Sequence, residues 1–252
     1  MVELLFWPAL IAYGEAAVAY VGVLRRPDLA ARLAIWGVRI GWLAQTALLA
    51  VQAYQADGFP WADWAGALNL FVWFAVGAYL VYGSSPRYRL LGIAVMPCAA
   101  ALFALAGLGG AAEQSGSDLF TAVHVGLVVA GFAGFALAAA LAGLYLWLER
   151  RLKRRPVGLL RLGPPSLVTL DGVSARVSAV SLAAFTVGIA LGLVRGHDID
   201  LAVAGAIAAW IVFGSALFFR RELGWRGKRA AYLTLAGFAL VAFLGLPAGH
   251  LG

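Results

Sequence analysis

Three histidines, one cysteine and two opposite charges set inside apolar runs are the residues through which this sequence could do chemistry. His124 lies about 7 Å below the end of one apolar run, counted at about 1.5 Å per residue, and His250 lies at the end of another. His197 sits in a polar stretch between two further runs. Two neutral imidazoles at similar depth on different helices can occupy both axial positions of one haem iron. Each can equally make an interhelical or interfacial hydrogen bond, and spacing alone leaves both readings open. Glu15 and Arg39 fall within roughly 5 Å of one depth when residue offsets are converted to length. A charge at such depth pairs with another or faces a polar cavity. A Glu15–Arg39 ion pair is therefore one expectation, and a polar path for a proton or small anionic solute, extended by Gln45, is the other. Cys98, after Pro97, has no partner for an internal disulfide, and no C-x-x-C-H pattern is present for covalent haem attachment. Nucleotide-binding, zinc-protease and nucleophile-elbow patterns are absent as well.

The elements that must position these residues follow from composition. Of the 252 residues, 63% are hydrophobic and 12% charged, about half the ~25% charged share of a soluble domain; mean hydropathy is +0.89. One water-soluble core cannot hide that much apolar surface, so a soluble enzyme, a secreted disulfide scaffold and a disordered chain are excluded. Apolar runs fall at about 4–24, 34–55, 64–82, 89–108, 119–148, 178–194, 201–219 and 230–248, each long enough to cross a bilayer. The net charge of +7 is no nucleic-acid signature, because the basic residues sit in alternate loops. Arg25, Arg26 and Arg32 occupy the first loop, Arg87 and Arg89 the third, Arg150 to Arg176 the fifth and Arg220 to Arg229 the seventh. The even loops carry Asp57, Asp63, Glu113, Asp118, Asp198 and Asp200. The positive-inside rule then puts the odd loops in the cytoplasm, with both termini and all three histidines outside. Arg195 is the one basic residue of an outer loop. It suits a ligand carboxylate, and anchoring its own helix is the equal alternative.

The first run lacks a basic leader and ends on Arg25-Arg26, so it reads as an anchor rather than a cleaved signal. The fifth is longer than one crossing needs, and Glu149 to Arg155 are expected to project from the membrane or lie along its surface. The stretch from Pro156 to Arg176 is long enough for a surface helix. No long-period repeat is visible. Small residues such as those from Gly131 to Gly143 suit close helix packing in lipid. Trp7, Trp61 and Trp64 mark the outer interface and Trp36, Trp147 and Trp225 the inner, while Trp42, Trp73 and Trp210 lie deeper.

Several segments together resemble the cytochrome c assembly membrane-protein family, which includes CcsA-type and HemX-like haem-handling proteins. Gly58-Phe59-Pro60 followed by Leu68 and Trp73 resembles the outer segment before the third span. Val123-His124, leading into a small-residue span with a basic end, is similar to the segment supplying one external haem ligand, and Gly249-His250 to the segment supplying the second. Pro165-Ser166-Leu167 with Gly188 and Gly192, the run from Trp210 to Arg220, and Gly224 to Lys228 also match. The family's outer loop is rich in tryptophan; here that stretch is Gly196 to Asp200, without tryptophan but with Asp200 where the family has an aspartate. The family's intramembrane histidines fall at Gln45 and Phe218.

The expectation is an all-α, single-domain polytopic bundle of about eight transmembrane helices in the cell inner (plasma) membrane. The resemblance implies haem handling in cytochrome c maturation or tetrapyrrole homeostasis, by a HemX-like or accessory member rather than a complete exporter. Non-covalent haem b would bind His124 and His250 axially, near Arg195, His197 and Asp200, and the partners would be membrane or periplasmic maturation proteins. A non-haem structural or regulatory subunit and a solute transporter using Glu15, Arg39 and Gln45 are the alternatives. With Cys98 replaced, a cysteine placed at Gly58 or Gly116 is expected to react with an impermeant maleimide from outside, and one at Gly158 is not. Reversed labelling would overturn the charge-based topology.

Overall fold

The computed structural model describes residues 2–22, 27–56, 60–61, 63–82, 85–109, 119–154, 163–194 and 201–248. The fold is all-α, with no strand among the described residues. Helices α1 (Val2–Gly22), α2 (Pro27–Gln55), α3 (Trp64–Tyr82) and α4 (Arg89–Ala106) are followed by α5 (Leu119–Lys153), α6 (Leu167–Val194), α7 (Leu201–Glu222) and α8 (Lys228–Ala248). Seven of them, α1 to α7, are long and apolar enough to cross a membrane. Large apolar side chains remain outward, among them Leu4, Ile11, Val18, Val81 and Val168. Contiguous exposure of this kind marks lipid-facing surface in a multi-span membrane protein.

Local chemistry explains the helix starts. Pro27 opens α2, where its fixed φ and missing N–H are harmless. Asp63 caps α3, its Oδ1 accepting the Gly66 N–H at 3.0 Å. Ser166 caps α6, accepting the Thr169 N–H at 3.1 Å. This last cap corrects part of the expected loop: α6 begins at Leu167, so Leu167 to Arg176 are its first turns, while residues 156–162 lie outside the described residues. The polar residues there read as loop by composition. On a helix, however, Asp171, Ser174, Ser178 and Ser181 share one face, and the three serines are buried. The fifth run likewise continues as helix through Lys153, giving α5 35 residues and a length of about 52 Å against a hydrocarbon thickness of about 30 Å.

Helices α1–α4 and α5–α8 form two compact units. In the first, α1 packs on α2 and α4, while α3 packs on α2 and α4, closing a ring of four. Phe6, Tyr13 and Tyr20 recur every seven residues along α1, and each ring lies against a glycine: Gly107, Gly41 and Gly92 respectively. A Cβ at Gly41 would stand 2.7 Å from the Tyr13 ring, and one at Gly92 2.6 Å from that of Tyr20. Missing side chains thus let large rings come close to the neighbouring backbone. Tyr79 donates to the Tyr20 hydroxyl at 2.6 Å, tying α3 to α1.

In the second unit Phe135, Phe185, Ala209 and Phe213 form the buried centre, with the Phe135 and Phe213 rings stacked at 3.7 Å. Gly131 of α5 admits Phe185 of α6, and Ser174 donates to the Ala138 carbonyl at 3.0 Å. Asp171 closes one end. Arg220 of α7 donates to both its carboxylate oxygens at 2.8 Å, and the Gly227 N–H adds a bond at 3.0 Å. Gly227 holds φ +65° in the α7–α8 turn, a conformation that favours glycine. One carboxylate therefore fastens three helices. Asp171→Ala is expected to lower stability by about 2 kcal/mol, below the 3–5 kcal/mol of a fully buried pair because part of Arg220 is exposed. Thermal unfolding in detergent measures this, and adding Arg220→Leu should recover part of the loss.

Candidate functional site

His124 lies near the start of α5, facing α6. Its Nδ1 stands 2.7 Å from the Gly188 carbonyl oxygen. A carbonyl only accepts, so Nδ1 carries the proton. Gly188 and Gly192, one helical turn apart, leave room for this. A Cβ on Gly192 would stand 2.7 Å from His124 Cε1, and one on Gly188 would stand 2.8 Å from Val128 Cγ2. The imidazole therefore rests on bare α6 backbone with its orientation set. Imidazoles that ligate iron are held in this way, one ring nitrogen donating to a carbonyl or carboxylate and the other left basic. The observed geometry fits an axial haem ligand. Gly188 supplies the orienting acceptor, a role absent from the sequence reading; the one-turn spacing of Gly188 and Gly192 opposite a histidine was its signal. Arg195, His197, Asp200 and His250 lie outside the described residues. Among the described residues no cluster of three His, Cys, Asp or Glu side chains forms a bare-metal site.

Within the first unit the structure separates the three intramembrane polar residues. Gly22 lies against Ala30 and Gly37 against Ala12 and Ala16, an antiparallel register that puts Glu15 and Arg39 at one level. Their side chains nonetheless lie outward, and no ion pair joins them. The Arg39 guanidinium instead lies 5.4 Å from the Trp36 ring centroid. The expected Glu15–Arg39 contact is thus not formed: Arg39 follows the outer stripe of α2, whereas Gly37 and Gly41 face α1.

Gln45 is fully buried. Its Oε1 accepts from Tyr13 at 2.7 Å, and its Nε2 donates to Asn69 Oδ1 at 2.7 Å and to the Asn69 carbonyl at 3.0 Å. Both ends of the amide are engaged, so Gln45 links α1, α2 and α3 and lines no path with the two charges. Beside it, Trp42 and Trp73 stack at 5.4 Å, with Trp42 Nε1 donating to the Trp73 carbonyl and Trp73 Nε1 to Thr46. Trp210 of α7 donates to Thr186 of α6 at 2.8 Å, and Phe218 is 58% exposed. The deep tryptophans thus serve helix–helix hydrogen bonding.

A family model described as Cytochrome C assembly protein matches residues 61–246. The chain is 25% identical to "Cytochrome c biogenesis protein CcsA" of Microcystis aeruginosa, an alignment covering 94% of this chain and 88% of that protein. It is 21% identical to "Protein HemX" of Bacillus subtilis, over 92% and 89% of the two chains. A shorter match, 27% identical over 47% of each chain, joins it to "Inner membrane protein YpjD" of Escherichia coli K12.

Filling the glycine groove should disturb the His124 ring without touching it chemically. In Gly192→Ala, ¹⁵N NMR of histidine-labelled protein is expected to lose the single Nδ1-protonated signature of His124. An unchanged signature would mean that α6 does not orient the ring.

Proposed function

Because the chain belongs to the cytochrome c assembly protein family, which supports a role in cytochrome c maturation, we propose that it binds haem at the outer face of the inner membrane, with both termini outside. His124 and His250 would hold the iron of a non-covalent haem b, Arg195 would meet a propionate, and His197 and Asp200 would flank the site. The two units act as one membrane domain, which passes or holds haem for membrane or periplasmic maturation partners. The observation that carries this reading is the His124–Gly188 hydrogen bond over the Gly188–Gly192 groove, because a metal-ligating imidazole donates its other ring N–H to an acceptor of this kind. Bound haem supplies a redox-active iron; the protein's contribution is to set the His124 tautomer, hold the ring against α6 and balance propionate charge.

No second reading gains support from the geometry. Gln45 is locked in a structural amide network and the two intramembrane charges face outward, so a solute path through them is not assembled. Protein made with ample haem supply is expected to purify with a Soret band and the α and β bands of a low-spin, bis-imidazole haem. His124→Ala or His250→Ala should give high-spin or lost haem in a folded bundle, with added imidazole partly restoring the low-spin spectrum. His197→Ala should matter less. A wild-type chain without haem, or wild-type spectra in both variants, would overturn the site.

A further inference from the structure

One end of the second unit repeats an order of side chains on two helices that run in opposite directions. On α5 the Arg151 guanidinium lies 5.4 Å from the Trp147 ring centroid, and on α8 the Lys228 ammonium lies 5.7 Å from the Tyr232 centroid. Ala142, Leu146 and Ala231 share a buried cluster, and Glu149 feels the charge of Lys228. This antiparallel register brings Trp147 to about the level of Tyr232 and Arg151 to about the level of Lys228. In both helices the ring sits one turn nearer the apolar middle and the cation one turn nearer the end. Arg229 over Trp225, at 6.0 Å, extends the patch through the α7–α8 turn. All three cations are exposed, as are Trp147 and Tyr232. The described carboxylates nearby are already engaged: Glu149 with Lys153 at 2.8 Å, Asp171 with Arg220 at 2.8 Å, and Glu222 with Arg221 at 3.7 Å.

We propose that this patch is a binding site for the headgroup of an anionic phospholipid. Indole and phenol rings settle at the boundary between hydrocarbon and headgroups, and a cation one turn, about 5.4 Å, farther out meets the phosphate layer. A zwitterionic lipid offers an ammonium as well, and no uncommitted described carboxylate stands here to receive it. A soluble acidic protein would satisfy the cations but leave the rings, which lie on the helix side toward the apolar middle, without a counterpart.

Nanodiscs holding equal phosphatidylglycerol and phosphatidylcholine test the proposal through native mass spectrometry of the lipids retained by the full chain. Wild-type protein is expected to retain phosphatidylglycerol preferentially. Arg151→Gln and Lys228→Gln should each weaken that preference roughly fivefold, and the double variant should abolish it with an unchanged unfolding temperature. Arg221→Gln, whose side chain is 88% exposed and lies 3.7 Å from Glu222, should behave as wild type. Equal retention of both lipids by wild-type protein would overturn the site. So would an equal loss in Arg221→Gln, which marks diffuse charge, and displacement of the lipid by millimolar inorganic phosphate, which marks a soluble-anion site.

Discussion

Hydrocarbon offers no hydrogen bonds, and the arrangement of both units follows from that deprivation. Four deep polar side chains find their partners inside their own unit. Gln45 is answered by Tyr13 and Asn69, Trp73 by Thr46, Ser174 by the Ala138 carbonyl and His124 by that of Gly188. Each of these bonds joins two helices, that of Trp73 tying α3 to α2. The polar groups therefore specify which helix lies beside which, while apolar packing, which lipid could replace, does not discriminate as sharply. Glu15 and Arg39 stand apart from this pattern, outward on adjacent helices at one level, with Arg39 covered by an indole rather than matched by a carboxylate.

The bonds form because backbones come close, and closeness here comes from absent side chains. The α1 rings find glycines on α2, on α4 and just beyond α4, and His124 lies against α6 at Gly188 and Gly192. A hydrogen bond from a ring nitrogen to a main-chain carbonyl inside an intact helix needs such an approach. The same small-residue surface that packs α5 on α6 thus prepares the imidazole. Scaffold and site are one feature, which is why the candidate ligand stands on the best-buried helix of its unit.

Much of this was legible in the residues alone. Eight apolar runs became eight helices, and α3 begins and ends where hydropathy placed it. The fold was readable because lipid imposes a length and a composition on every crossing. The start of α6 was not, since Asp171, Ser174 and Arg176 resemble a loop until their three-and-four spacing is set against a partner helix. At the site, the rarity of histidine singled out His124, but its orientation depends on a main-chain oxygen 64 residues away, whose one signal in the sequence is the one-turn spacing of Gly188 and Gly192. The Glu15–Arg39 expectation had depth right and direction wrong. Depth follows from counting residues, whereas direction follows from which face of α2 the glycines turn toward α1.

The Asp171 fastening also has a history in time. Its arginine partner lies 49 residues later in the chain and its glycine partner 56. At about 5–20 residues per second, the ribosome delivers Arg220 roughly 2–10 s after Asp171. Throughout that interval the carboxylate near the start of α6 waits without its cation, while α6 already has its bonds to α5 through Ser174 and Gly188. The α7–α8 turn therefore closes on the acid last, after α5 and α6 have been joined.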